Sequence, residues 1–203
     1  MTVICHGRFA PVCRLSRAIC RIATGKALLG SFIVCLVFAV LIMGKPFGIA
    51  RLQEITGGAT IPDMTFTTGP DSVYAVLGAL GEAGRTFDLT HIVPLDLVYP
   101  FTYGLFLSLG ISWALARVFP GDSPWRLLNI IPVLAAAADY AENAGVIALL
   151  LTYPVRLDPV AWFVSSMYSL KFVLSAISFT TLLAALAASA VTAALRWQRR
   201  SPA

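Results

Sequence analysis

The stretch Leu134-Ala-Ala-Ala-Ala-Asp-Tyr-Ala-Glu-Asn-Ala-Gly-Val146 places two carboxylic acids, Asp139 and Glu142, inside an otherwise apolar segment. The next apolar segment carries Lys171 within Ser169-Leu-Lys-Phe-Val173. A charge at the centre of a membrane-spanning helix costs at least ~2.5–3.5 kcal/mol, so such residues usually face partners inside the protein. We therefore expect both segments to turn their charged side chains toward each other.

The composition is that of a membrane-embedded chain rather than of a soluble domain. Of 203 residues, 58% are hydrophobic and only 12% are charged. Four apolar stretches, at about 27–43, 92–116, 127–151 and 160–195, are long enough to cross a hydrocarbon core of ~30 Å. Because backbone groups cannot stay unpaired in hydrocarbon, we predict an all-α fold, a four-helix transmembrane bundle.

Basic residues account for the net charge of +5, and most of them lie on one side of the predicted bundle. We therefore predict a multi-pass membrane protein with a single domain, residues 27–195, oriented by the positive-inside rule. The basic segment 1–26 and the basic tail 196–203 would both be cytoplasmic. This distribution indicates topology and contact with membrane lipids, not nucleic-acid binding. The ten residues on that side are Arg8, Arg14, Arg17, Arg21, Lys26, Arg117, Arg126, Arg196, Arg199 and Arg200.

An external loop, residues 44–91, separates the first two predicted spans. Its part around residues 55–63 is rich in turn-forming residues and is predicted to be irregular. After Gly69-Pro70, apolar residues recur at helical spacing, which predicts a short amphipathic helix on the outer face. They are Val73, Val76, Leu77 and Leu80. A loop of this length can serve as a lid or as a packing strap, and the sequence favours neither.

Three consecutive spans each carry one stripe of polar residues at helical spacing. Counting along antiparallel helices from the turns between them places Glu142 level with Lys171, and Tyr103 level with Asp139. Asp96 falls about two helical turns nearer the outside than Tyr103. The stripes are Asp96, Tyr99, Pro100 and Tyr103 in the second span; Asp139, Glu142 and Asn143 in the third; and Ser165, Tyr168 and Lys171 in the fourth.

Two carboxylates and one ammonium at one level leave an excess of negative charge. We expect either Asp139 or Glu142 to pair with Lys171, and the other to take up a proton or to accept hydrogen bonds from Tyr99 or Tyr103. The same residues can also be explained as structural, since a satisfied polar network fixes helix register in membranes.

The run Pro94-Leu-Asp-Leu-Val-Tyr-Pro-Phe-Thr-Tyr103 contains the pattern D-x-x-Y-P-x-x-Y. Together with Gly81-Glu-Ala-Gly-Arg85 before it and Asp139-Tyr-Ala-Glu-Asn143 after it, the arrangement resembles uncharacterised small four-span bacterial integral membrane proteins. The resemblance covers about residues 63–143 and implies no activity. It implies that these residues form one constellation and that the protein lies in the bacterial inner membrane.

Three hypotheses follow, and whether the protein is an enzyme is left open. In the first, the bundle holds a pocket for a lipid-like or small amphipathic molecule, with Asp139 and Glu142 as hypothetical acid and base. The second is an accessory or assembly subunit in which the polar cluster is structural, and the third is a proton-coupled small transporter. The ligand-binding residues of the first would be Asp96, Tyr99, Tyr103, Asn143, Tyr168, Lys171 and, meeting an anionic headgroup from outside, Arg85.

No cofactor or metal site is expected from the sequence. The two histidines, His6 and His91, fall on opposite sides of the predicted membrane, which argues against a haem or a histidine-rich metal site. Small residues between Ala184 and Ala190 suit close helix packing, so a homodimer or a larger membrane complex is a further expectation.

Overall fold

The structure, a computed structural model, describes residues 10–121 and 123–198. Within these ranges the chain is mainly helical and has no strand. Four helical segments are long and apolar enough to cross a membrane, which confirms the predicted all-α membrane bundle. They are Gly25–Met43, Gly81–Val118, Pro124–Thr152 and Asp158–Gln198.

Two of these segments contain more than one helix. The α-helices in chain order are α1 (Ala10–Ile22), α2 (Gly25–Met43), α3 (Ile49–Thr56), α4 (Pro70–Ala79), α5 (Gly81–Phe87), α6 (Val93–Asp96), α7 (Tyr99–Val118), α8 (Ile131–Thr152) and α9 (Asp158–Gln198). A π-helical turn, Asp88–Ile92, joins α5 to α6, and 3₁₀ turns occupy Pro62–Met64 and Pro124–Ile130.

Successive spanning segments run antiparallel, and α7 lies in the middle of the bundle against α2, α8 and α9. The rings of Phe32 in α2 and Phe106 in α7 lie 5.3 Å apart. At the end of the bundle near the chain termini, Asn129 donates to the Ser112 hydroxyl over 2.8 Å. We call this the terminal end, and the opposite end, which carries residues 44–80, the loop end.

The second spanning segment begins at Gly81, whereas the apolar pattern predicted a start near residue 92. Arg85 and Asp88 break the apolar pattern there, and contacts within the protein hold Arg85. Arg85 donates to the Leu77 carbonyl over 2.9 Å and its guanidinium lies 3.9 Å from the centre of the Tyr153 ring. Asp88 is buried. The helical segment thus extends beyond its apolar part and includes both polar residues.

The basic N-terminal segment contains a helix that the sequence analysis did not predict. Helix α1 packs on α7 and on the turn Pro124–Ile130, and buries Ser16 and Ile19. The backbone carbonyl of Ser16 accepts a hydrogen bond from Asn129 over 3.1 Å. Residues 1–9 and 199–203, which include Arg8, Arg199 and Arg200, lie outside the described residues.

The predicted amphipathic helix of the loop is α4, and it fastens the loop to the bundle. Val73 and Leu77 are fully buried against the loop ends of α8 and α9. The Tyr74 hydroxyl donates to the Val155 carbonyl over 3.2 Å and accepts from the Leu157 amide over 2.6 Å. These contacts between the loop and the α8–α9 connection favour the strap interpretation for this part of the loop.

Close packing of α8 on α9 gives a stability prediction. A Cβ atom added at Gly145 would lie 2.5 Å from Val164 Cγ2, whereas one added at Gly30 in α2 would meet nothing within 4 Å. Gly145→Ala is therefore expected to lower the free energy of unfolding by about 1–2 kcal/mol, because the stiff Val164 side chain must shift. Gly30→Ala, the matched control, should be neutral or stabilising. Titration with dodecyl sulfate in mixed micelles measures both, and equal effects would contradict the packing.

Candidate functional site

The site is built around a break in the second spanning segment. Pro100 has no backbone N–H, so the carbonyl of Asp96, four residues earlier, loses its helical donor. Asn143 of α8 supplies a substitute, since its Nδ2 donates to the Asp96 carbonyl over 3.2 Å. In hydrocarbon an unpaired carbonyl costs several kcal/mol, and a neighbouring helix can remove that penalty. The motif residues Asp96, Pro100 and Asn143 thus form one structural unit.

Lys171 lies at the centre of a cluster of carboxylates. Its Nζ is 2.7 Å from Glu142 Oε2 and 3.3 Å from Asp139 Oδ1, and it also contacts Asp63. The charge pattern predicted that Lys171 pairs with one of Asp139 and Glu142, but the structure places both against it. The expected level of Glu142 and Lys171 is therefore confirmed.

A tyrosine from α7 completes the cluster by bonding the second carboxylate oxygen of Asp139. The Tyr103 hydroxyl donates to Asp139 Oδ2 over 3.0 Å, which confirms that these two residues share a level. The Tyr99 ring packs edge-on against the Tyr103 ring, with centroids 5.4 Å apart. Asp139 therefore accepts bonds from both Tyr103 and Lys171, and its two oxygens are held in fixed directions.

Asp63 is the site residue that sequence reasoning missed. It comes from the loop, in the 3₁₀ turn Pro62–Met64, and reaches the cluster from the loop end. A hydrogen bond of 3.0 Å between the hydroxyls of Thr67 and Ser165 fastens the same segment to α9. The available signal was the isolation of one acidic residue in the apolar run Ile61-Pro62-Asp63-Met64.

Asp96 also lies closer to the cluster than expected. Carboxylate oxygens of Asp63, Asp96 and Asp139 all lie within 4.8 Å of one another. The prediction placed Asp96 about two turns further out because it assumed an unbroken helix, but the helix stops at Asp96 and restarts at Tyr99. Three carboxylates at this spacing could hold a metal ion that prefers oxygen ligands, an arrangement the sequence analysis did not anticipate.

A cavity of about 250 Å³ adjoins the cluster. Its polar wall contains Asp63, Asp96, Tyr99, Tyr103, Asp139, Tyr168 and Lys171, and its apolar wall contains Ile42, Met43, Phe172 and Phe179. The last three apolar side chains are at least half exposed and lie within or at the end of spanning segments. The cavity therefore opens sideways, between the loop end of α2 and the middle of α9, toward the lipid.

Three predicted site residues do not line this cavity. Glu142 is fully buried behind Lys171, and Asn143 supports the helix break. Arg85 is held by Tyr153 and the Leu77 carbonyl, so the structure does not bring it to the cavity. An acid–base pair of Asp139 and Glu142 would need both groups to reach a substrate. The geometry therefore favours binding over acid–base chemistry.

The cluster carries more negative than positive groups. Asp63, Asp96, Asp139 and Glu142 face a single ammonium, that of Lys171. Within the described ranges, Glu142 Oε1 has no hydrogen-bond partner although the residue is completely buried. Buried polar groups are usually satisfied, and a register-fixing network would need only one carboxylate for each ammonium. This excess is suited to holding a positive group or protons.

Comparison of the chain with protein-family models, with curated proteins and with solved structures finds no match. The site must therefore be interpreted from its own geometry.

Proposed function

We propose that this protein binds a lipid-like or small amphipathic molecule in the cavity between α2 and α9. The observation that supports the proposal best is the two-sided lining of the cavity, with carboxylates and tyrosines on one wall and exposed apolar side chains on the other. Ligand pockets commonly combine mostly apolar walls with a few convergent polar groups. The polar end of the ligand would meet Asp96, Tyr99 and Tyr168, and its apolar part would pass Phe172 and Phe179 into the lipid.

The proposal includes a location in the bacterial inner membrane with both termini in the cytoplasm. The excess of basic residues at the terminal end supports this orientation. The loop end, with Asp63, would then lie near the outer surface. An amphipathic ligand would reach the cavity from the outer half of the bilayer, without crossing the membrane.

Two other functions make different use of the same residues. In an accessory or assembly subunit the cluster would serve only to hold the helices, and the cavity would contain no dedicated ligand. In a proton-coupled transporter the excess carboxylates would carry protons, an idea that the unpaired Glu142 Oε1 favours. Only the accessory role predicts that filling the cavity removes no ligand, because a transporter must also bind the molecule that it carries.

Native mass spectrometry of the purified protein with its bound lipids tests the proposal. Ser175 lines the cavity, so the larger side chain of Ser175→Trp should fill it. We expect a stoichiometric ligand on the wild-type protein, and an occupancy at least tenfold lower on Ser175→Trp. Ala184→Trp is the matched control, because Ala184 lies on the same helix but lines a separate apolar groove nearer the terminal end. A ligand retained by Ser175→Trp, or absent from the wild-type protein, would contradict the proposal and favour the accessory role.

A further inference from the structure

Lys171 has no hydrogen-bond donor left for a ligand, which restricts what the cavity can bind. An ammonium has three N–H donors, and three carboxylates, those of Asp63, Asp139 and Glu142, surround this one. The side chain is mostly buried, with 13% of its surface exposed. An anionic headgroup would have to displace one of these carboxylates into a region that already carries excess negative charge.

The remaining polar groups of the cavity attract a positive charge. Asp96 lines the cavity and is only 7% exposed. Among the described residues, no basic side chain lies within salt-bridge distance of its carboxylate. The rings of Tyr99 and Tyr168 line the same cavity, and Lys171 Nζ lies 5.6 Å from the centre of the Tyr168 ring. Aromatic faces beside a carboxylate are a common way to bind an ammonium group in an apolar surrounding.

We propose that the polar end of the ligand is an organic ammonium, held by the Asp96 carboxylate and by the faces of Tyr99 and Tyr168. This inference rests on the proposed function and names the chemical class of its ligand, an amine-bearing amphiphile. Binding would bring a second positive group to the four carboxylates. The alkyl part would leave past Phe172 and Phe179, where the cavity meets the lipid.

A series of probes with one tail and different ends tests the headgroup. Dodecyltrimethylammonium, dodecyl phosphate and dodecanol are titrated against the full chain in nanodiscs, and binding is followed by native mass spectrometry. We expect the ammonium probe to bind at least tenfold more tightly than the phosphate probe. Asp96→Asn should remove that preference. Tyr168→Leu, at a partly buried position outside the hydrophobic core, should weaken it severalfold. Asp158→Asn, an exposed carboxylate at the start of α9, is the control that should change nothing.

The outcomes separate this inference from the proposed function. Equal or tighter binding of the phosphate probe would overturn the ammonium assignment while leaving the pocket intact. Failure of all three dodecyl probes to bind the wild-type protein would overturn the pocket itself. Addition of Mn²⁺ supplies the last test, because stoichiometric Mn²⁺ binding that expels the ammonium probe and is lost in Asp96→Asn would show that the carboxylates of Asp63, Asp96 and Asp139 form a metal site instead.

Discussion

Lys171→Met is expected to destabilise the protein by about 3–5 kcal/mol, the usual consequence of leaving a buried charge without its partner. The ammonium is the group that the carboxylates of Glu142, Asp139 and Asp63 share. Without it, these carboxylates would repel one another in a region of low dielectric constant, and at least one would have to take up a proton. The free energy of unfolding, measured by dodecyl sulfate titration in mixed micelles, checks the size of the effect.

A second substitution shows whether the loss comes from the charges. Glu142 is the most deeply buried of the carboxylates, so Lys171→Met combined with Glu142→Gln should recover a substantial part of the lost stability. Lys45→Met is the control, because Lys45 forms an ion pair with Glu54 at the surface, where such pairs contribute little. If the two substitutions lower the free energy of unfolding additively, Lys171 and Glu142 are not coupled, and the proposed ion pair between them does not stabilise the protein.

The same variants separate a structural cluster from a binding site. The double variant should fold, yet it alters the charge beside the cavity. A structural network predicts that recovered stability is the whole effect, whereas a binding site predicts a folded protein with altered ligand occupancy. Stability and occupancy measured on one sample therefore distinguish the accessory role from the proposed pocket.

Much of the bundle could be predicted because helix periodicity and membrane thickness constrain it. A charge in hydrocarbon must face inward, and antiparallel helices that share a short connection must match in depth. Those two conditions were enough to place Glu142 level with Lys171 and Tyr103 level with Asp139. The structure brings both pairs into contact, at 2.7 Å and 3.0 Å. Neither condition depends on details of side-chain packing.

Asp63 could not be placed by such reasoning because a loop has no repeating geometry. The helical spacing of residues 73–80 predicted α4 and its apolar face, but it carries no information on the path of residues 61–67. That path depends on local turns and on the Thr67–Ser165 hydrogen bond, which have no periodic signal in the sequence. Asp96 was placed too far out for a related reason. Its position depends on a helix break, and a proline shows that a break is tolerated without showing where the chain then turns.

Asn143→Leu should be the most damaging change of an uncharged residue in the site, lowering the free energy of unfolding by about 3 kcal/mol. The substitution leaves the Asp96 carbonyl without its donor in a buried position within the spanning segment. An unsatisfied buried acceptor costs ~1–3 kcal/mol in soluble proteins and more in hydrocarbon. Thermal unfolding in detergent, followed by circular dichroism, measures the loss.

Pro100→Ala provides a test of the mechanism, because it restores a backbone N–H four residues after Asp96. In that background the helix can supply its own donor to the Asp96 carbonyl, so Asn143→Leu should cost less than half of what it costs in the wild-type chain. Asn129→Leu serves as the control, since Asn129 bonds to Ser16 and Ser112 at the terminal end and its loss should be unaffected by residue 100. Additive losses for Pro100→Ala and Asn143→Leu would mean that Asn143 does not replace the missing donor. Coupling between them would explain why a proline in α7 accompanies an asparagine in α8: the first opens the helix at Asp96, and the second makes that opening tolerable inside the membrane.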